Sequence, residues 1–237
     1  MALVSNTINK TQPRIILLDE LRGLAICLMV AFHFCYDLNY FGYTHFAILT
    51  DPFWTTSRTL IVSLFVLISG ASYSLTTDDI NHFYQRITRL GMAAITISIV
   101  SYYLFGSRFI YFGVIHFFLV ATIVTRPIKH QKITLALGIA ILLSSQFLHI
   151  DAMNPNYLNW IGLNSIKPAT EDYAPLFPWL GLFWIGLSLN KFFTTLQTQN
   201  KKKNLFSVLG KNSLITYLIH QPLLFLFLYI SKILVTI

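Results

Sequence analysis

Arg22, His33 and Asp37 are the residues of this chain best placed to do chemistry. They interrupt an apolar run, Arg22-Gly-Leu-Ala-Ile-Cys-Leu-Met-Val-Ala-Phe-His33-Phe-Cys-Tyr-Asp37, with Asp19 and Glu20 just before it. Ionisable groups are costly in a bilayer, roughly 2.5 to 3.5 kcal/mol each for Arg or Asp at the centre of an inserted helix. They persist there when buried, paired and useful. An α-helix turns about 100° per residue, so Asp19, Arg22, His33 and Asp37 share an arc of about 60°. Asp19 and Arg22 are one turn apart and can pair. His33 lies about 16 Å beyond Arg22 along the axis. Asp37, four residues after His33, can accept a hydrogen bond from one imidazole nitrogen. That bond would fix the tautomer and leave the other nitrogen as a base for a hydroxyl or amine. The simpler reading has His33 and Asp37 bonding only to neighbouring helices. It suits a lone histidine; four aligned polar groups favour function.

The elements that would carry this stripe follow from composition. The chain has 237 residues, 55% of them hydrophobic and 11% charged; a soluble domain carries about 25% charged residues. This predicts an all-α, polytopic integral membrane bundle. Apolar runs long enough to cross a ~30 Å core occur about seven times, near 15–37, 58–76, 89–106, 109–126, 132–149, 175–194 and 213–233. Residues 1–14 read as a cytoplasmic N-terminal tail without the order of a cleaved signal peptide, and 15–237 as a single transmembrane domain. Of the 17 Lys and Arg residues, Arg58, Arg108, Lys167 and Lys232 fall on one side. The rest, from Lys10 to Lys211, fall on the other. Basic residues favour the cytoplasm, so the N-terminus is expected inside and the C-terminus outside.

The net charge of +8 is therefore a topology signal and a match for anionic lipid or an anionic cofactor, and nucleic acid is not an expected partner. Cys27 and Cys35 are about 12 Å apart along one helix, too far for a disulfide. No metal-binding motif, Walker loop or GxGxxG occurs, and no metal is expected. Two connections, 39–57 and 149–174, are rich in aromatics. The second mixes Asn, Pro, Tyr, Trp, Asp and Glu in a manner suited to a sugar, although an ordinary loop with interfacial aromatics is the simpler reading.

The first-helix sequence Asp19-Glu-Leu-Arg22 through His33-Phe-Cys-Tyr-Asp37-Leu resembles the heparan-α-glucosaminide N-acetyltransferase catalytic domain family in its bacterial short form. Further blocks agree in order: Phe65-Val-Leu-Ile-Ser69-Gly70-Ala-Ser72, Phe112-Gly113-Val-Ile-His116-Phe, Pro175-Leu-Phe-Pro178-Trp179-Leu-Gly181, and Leu209-Gly210-Lys-Asn-Ser213-Leu-Ile-Thr-Tyr217-Leu-Ile-His220-Gln221-Pro222. The resemblance implies a membrane acyltransferase that takes an acyl group, acetyl first of all, from cytoplasmic acyl-CoA. It would deliver that group to an acceptor across the membrane, an amino sugar or glycan. The wider group shares an Arg and a His eleven positions apart, matched by Arg22 and His33, and a basic pair matched by Arg86 and Arg89. Animal members place the catalytic histidine in the loop after the first helix, where this chain has His45. His33 and His45 thus compete, and His33 is preferred for its Asp37 partner and its spacing from Arg22.

The resemblance also implies roles. Arg22, Arg86 and Arg89 would hold the phosphates of acetyl-CoA, and the pantetheine arm would thread between helices toward His33. A tunnel from Arg86 and Arg89 to His33 is expected. Direct transfer and an acyl-histidine both remain open. His116 and His220 read first as core histidines bonded to neighbouring helices. Ser69 and Gly70 read as small-residue helix packing, with Gly70 also able to give the thin arm passage. Trp179 reads as an interfacial anchor, Lys201–Lys203 as a topology determinant, and Arg58 as a partner for Asp51 or an anionic acceptor. The rival classes are a proton-coupled transporter of a sugar or lipid-linked precursor and a non-catalytic scaffold in glycan synthesis. A homo-oligomer is left open, and the bacterial cytoplasmic (inner) membrane is the expected location.

Overall fold

The computed structural model describes residues 15–76, 79–128, 131–196 and 203–236. The expected tail 1–14, with Lys10 and Arg14, and the residues Lys129, Lys201 and Lys202 lie outside the described residues. Among the described residues the chain is all-helical: α1 (Ile16–Tyr40), α2 (Pro52–Ser74), α3 (Ile80–Phe105), α4 (Val114–Thr125), α5 (Gln131–Ser144), α6 (Leu176–Ser188), α7 (Asn190–Leu196), α8 (Leu205–Lys211) and α9 (Ser213–Thr236). One isolated bridge joins Phe112 to Tyr173.

Two of the long helices, α2 and α3, begin earlier than the apolar runs because capping chemistry precedes them. The Asp51 carboxylate accepts the Phe53 N–H at 2.7 Å, with Pro52 opening α2. Asp79 accepts the Asn81 N–H at 3.0 Å and starts α3. A capping carboxylate satisfies a donor that the first turn leaves unpaired. Hydropathy marks the part of a helix that lipid accepts, and caps mark where the helix begins. By length and apolarity, Pro52–Ser74, Ile80–Arg108 and Ser213–Leu234 can cross a membrane; α6 and α7, bent by 48° at their junction, reach that length only when taken together.

The expected run 109–126 divides. Residues 109–113 are not helical, and α4 occupies only 12 residues, about 18 Å of rise. The non-helical half pairs with the connection before α6: the Glu171 N–H donates to the Arg108 carbonyl at 3.1 Å and the Ala174 N–H to the Phe112 carbonyl at 3.2 Å. Non-helical backbone at membrane depth is tolerated only where protein or an aqueous cavity satisfies it.

The helices approach closely through glycine. A methyl group on Gly70 of α2 would run into the Phe183 carbonyl of α6, and one on Gly186 of α6 into the Leu67 carbonyl of α2. Gly138 of α5 and Gly181 of α6 oppose one another in the same way. Such small-residue contacts let backbones meet where lipid supplies no hydrophobic drive. Gly70 is therefore a packing residue, as first read. The passage for a thin arm considered for it is filled by α6. Val66, Phe117, Phe183 and Leu187 form the fully buried centre of this core, and the Trp184 indole donates to Thr125 Oγ1 at 2.9 Å.

Gly70→Ala is expected to lower stability by about 1–3 kcal/mol, the usual cost of overpacking, because the obstacle is backbone and cannot rotate away. A thermal melt of the detergent-purified variant, read by intrinsic fluorescence, checks this; an unchanged midpoint would contradict the close α2–α6 approach.

Candidate active site

Two cavities meet inside the bundle. The first, about 770 Å³, is lined by Arg22, Arg86, Arg89, Arg126 and Lys211 together with Asp19, Ser69 and Ser72. Arg22 is held from three elements. Its Nη1 donates to Asp19 Oδ1 at 3.1 Å and to the Gly210 carbonyl at 3.3 Å, and its Nη2 donates to Ser72 Oγ. The expected Asp19–Arg22 pair is thus formed. The Arg86 guanidinium sits over the Tyr73 ring, 4.9 Å from its centroid, and its Nε is buried without a hydrogen-bond partner. Arg89 is exposed at the same cavity.

The second cavity, about 760 Å³, is lined by His33, Tyr36, Arg58, Arg108, Lys167, Glu171, Asp172, Trp179, Tyr217, His220 and Gln221 among others. Phe65, Val114 and Tyr217 line both cavities, so the two spaces abut at these residues. His33 belongs to the second cavity; His45 is exposed and does not line it.

The expected bond between His33 and Asp37 is not formed. Asp37 is fully buried and its Oδ1 accepts the Gln221 amide at 2.8 Å, while Oδ2 has no partner. Packing of α9 on α1 brings Gln221 to the carboxylate, and the i+4 neighbour is left aside. His33 instead meets His220, with ring centroids 5.0 Å apart and planes inclined by 61°. His116 has the role first read for it. Its Nδ1 accepts the Gly113 N–H at 3.3 Å and its Nε2 contacts Ser98 Oγ at 3.0 Å, which ties α4 to α3.

Two further residues of the stripe's surroundings are placed by the structure. Trp179 lines the second cavity, next to the non-helical Phe177 at the start of α6. Arg58 does not pair with Asp51, whose carboxylate is engaged in capping α2. Its charge acts instead on Lys167 and Asp172: the Lys167 ammonium is lowered from its ordinary range by burial and then by Arg58.

Spacing did not single out Asp172, Glu171 or Tyr217 as site residues. Asp172 Oδ2 accepts the Val114 N–H at 2.9 Å and the Tyr217 hydroxyl at 3.0 Å. A side chain on Gly113 would strike this carboxylate, so the glycine makes the approach available. Glu171 accepts the Tyr36 hydroxyl at 2.9 Å and pairs with Arg108 at 2.8 Å. These bonds join positions 45 to 135 residues apart, beyond any local pattern; the one available signal was a cluster of acidic and aromatic residues in the connection 149–174.

With this geometry in view, the comparison with known families is decisive about kinship. The family model described as Heparan-alpha-glucosaminide N-acetyltransferase, catalytic, matches residues 14–222. The chain belongs to that family, one of transmembrane acetyltransferases, whose co-substrate is acetyl-CoA. Its apolar helices agree with an integral membrane protein. No curated protein and no solved structure matches the chain.

Burial raises the Asp172 carboxyl above its ordinary range, against the Val114 N–H, the Tyr217 hydroxyl, Arg58 and Lys167, which favour its charged form. A carboxyl raised in this way holds its proton more tightly folded than unfolded. Its contribution to stability is therefore present below the unfolded pKa and is lost as pH rises through the folded one. Asp172→Asn, which keeps an acceptor oxygen, should flatten that part of the pH–stability profile. Asp172→Ala should cost about 1–3 kcal/mol for each donor left unpaired. Melting of the two variants between acid and neutral pH checks both expectations.

Proposed function

We propose that the protein moves an acetyl group from cytoplasmic acetyl-CoA to the amine or hydroxyl of an amino sugar or glycan on the other face of the membrane. The observation that carries this reading is the pair of abutting cavities, one lined by cations and the other holding His33, with Phe65, Val114 and Tyr217 common to both. Arg22, Arg86 and Arg89 hold the phosphates of the donor. Arginine suits this task because its planar fork makes bidentate bonds to phosphate oxygens. The pantetheine arm passes the shared residues and presents the thioester to His33. The acceptor enters the second cavity, and His33 removes its proton as it attacks the thioester carbonyl. His33 is preferred to His45 because it faces this space.

The same reading includes seven crossings, by α1, α2, α3, α4, α5, α6 with α7, and α9, and a cytoplasmic N-terminus. The cavities support it. Every Lys or Arg of the first cavity belongs to the set that charge counting puts in the cytoplasm. The three of the second, Arg58, Arg108 and Lys167, belong to the opposite set.

Purified protein given labelled acetyl-CoA and a panel of amino sugars and glycans tests the proposal. His33→Ala should lower transfer by roughly 10²- to 10⁴-fold, the usual worth of a general base, with acetyl-CoA binding retained, whereas His45→Ala should stay near wild type. Normal transfer by His33→Ala would remove the mechanism, and proton-coupled solute uptake without thioester consumption would replace it with transport. Arg86→Gln should raise the KM for acetyl-CoA by roughly 10- to 100-fold, equivalent to losing a hydrogen bond to a charged group, with a much smaller change in kcat.

A further inference from the structure

Four buried polar atoms without hydrogen-bond partners gather where α1 meets α9: Nδ1 of His33, Oδ2 of Asp37, Nε2 of His220 and Oε1 of Gln221. Buried polar atoms are nearly always paired, and exceptions call for a specific explanation such as a catalytic role. Two of the four belong to the imidazoles of the His33–His220 contact, and both rings line the second cavity.

The tautomers follow from the bonds that are made. His220 Nδ1 lies 2.7 Å from the Tyr217 carbonyl oxygen. A carbonyl only accepts, so this nitrogen carries the hydrogen, and Nε2 of the neutral ring is a lone-pair acceptor. Asp37, four residues on, gives Oδ1 to the Gln221 amide, and its Oδ2, although without a partner, makes no bond to His33. For His33 to act as a base through Nε2, its Nδ1 must carry a hydrogen. That hydrogen needs an acceptor where water is excluded, and the His220 ring, whose Nε2 has no partner, packs against His33 with 5.0 Å between centroids. Hydrogen bonds of this kind are often long in the free enzyme and close in the substrate complex.

We propose that His220 is the positioning residue of the catalytic base: its Nε2 accepts the Nδ1–H of His33, fixes the tautomer and steadies the imidazolium formed during transfer. This rests on the acyl-transfer reading above. In the step, the acceptor N–H or O–H bond breaks as its heteroatom bonds to the acyl carbon, and the proton goes to His33 Nε2. The C–S bond then breaks and the leaving thiolate takes that proton. His33 returns to neutral, and His220 gains no proton overall.

The test separates the two nitrogens of His220. Glutamine carries its terminal polar atoms near the position of Nε2, and asparagine near that of Nδ1. His220→Leu should lower kcat by roughly 10- to 100-fold, as when an outer hydrogen-bond partner of a metal-bound histidine is removed, with the KM for acetyl-CoA unchanged. His220→Gln should recover most of that loss and His220→Asn should not. A residue that only braced α9 through the Tyr217 carbonyl would show the reverse order. Acetyl-CoA titration confirms that each variant is folded; if His220→Leu fails to bind, the contrast between Gln and Asn decides. Rescue by Asn rather than Gln, equal loss in both, or wild-type kcat in His220→Leu overturns the inference alone, provided His33→Ala is inactive. Wild-type protein that transfers nothing, or His33→Ala that transfers normally, overturns the acyl-transfer reading and this inference with it.

Discussion

The grip of one carboxylate oxygen organises the interior of this protein. Asp172 Oδ2 accepts both the Val114 N–H and the Tyr217 hydroxyl, and Val114 and Tyr217 are two of the three residues that line both cavities. The bond to Val114 fixes where α4 begins, since a helix start offers unpaired N–H groups to an anion. The bond to Tyr217 fixes α9 against the same point. Because Asp172 comes from the connection before α6, three separate parts of the chain are set by one group.

Around that point the charges are divided rather than neutralised. Arg22 is braced by Asp19, Gly210 and Ser72, while Arg86 rests on an aromatic face and leaves Nε unpaired. On the far side, Glu171 takes up Arg108 and Tyr36. A buried cation without a full set of partners is an unfavourable resident, and it becomes favourable when an anionic ligand arrives. The proposed donor site draws on that difference.

How far the sequence could be read depended on the reach of each interaction. The Asp19–Arg22 pair needs only three-residue spacing on a helix, and it is found at 3.1 Å. The His33–Asp37 pair needs the same kind of spacing and is absent, because Gln221, 184 residues later, takes the carboxylate. Local spacing tells which contacts are available; packing decides which are made. The apolar run 109–126 is real, yet only part of it is helix, because Asp172 sets the start of α4 from 58 residues away. Trp179 could be identified as a large amphipathic ring, but its place in the cavity lining depends on contacts that local spacing does not show. Kinship with the acetyltransferase family rested on ordered blocks spread along most of the chain, and residues 14–222 carry it.

The short α4 has a mechanical consequence. Where most membrane helices present a full hydrocarbon thickness, this one is about 18 Å long, and the non-helical residues before it pair with the connection that leads into α6. At that place the two cavities share lining side chains. Under the proposed reaction, the nucleotide never leaves its side; a two-carbon acyl group passes one way and the acceptor's proton passes the other way to the thiolate. Such an exchange moves no net charge through the electric field, so the membrane voltage neither drives nor opposes it; the thioester bond is its energy source.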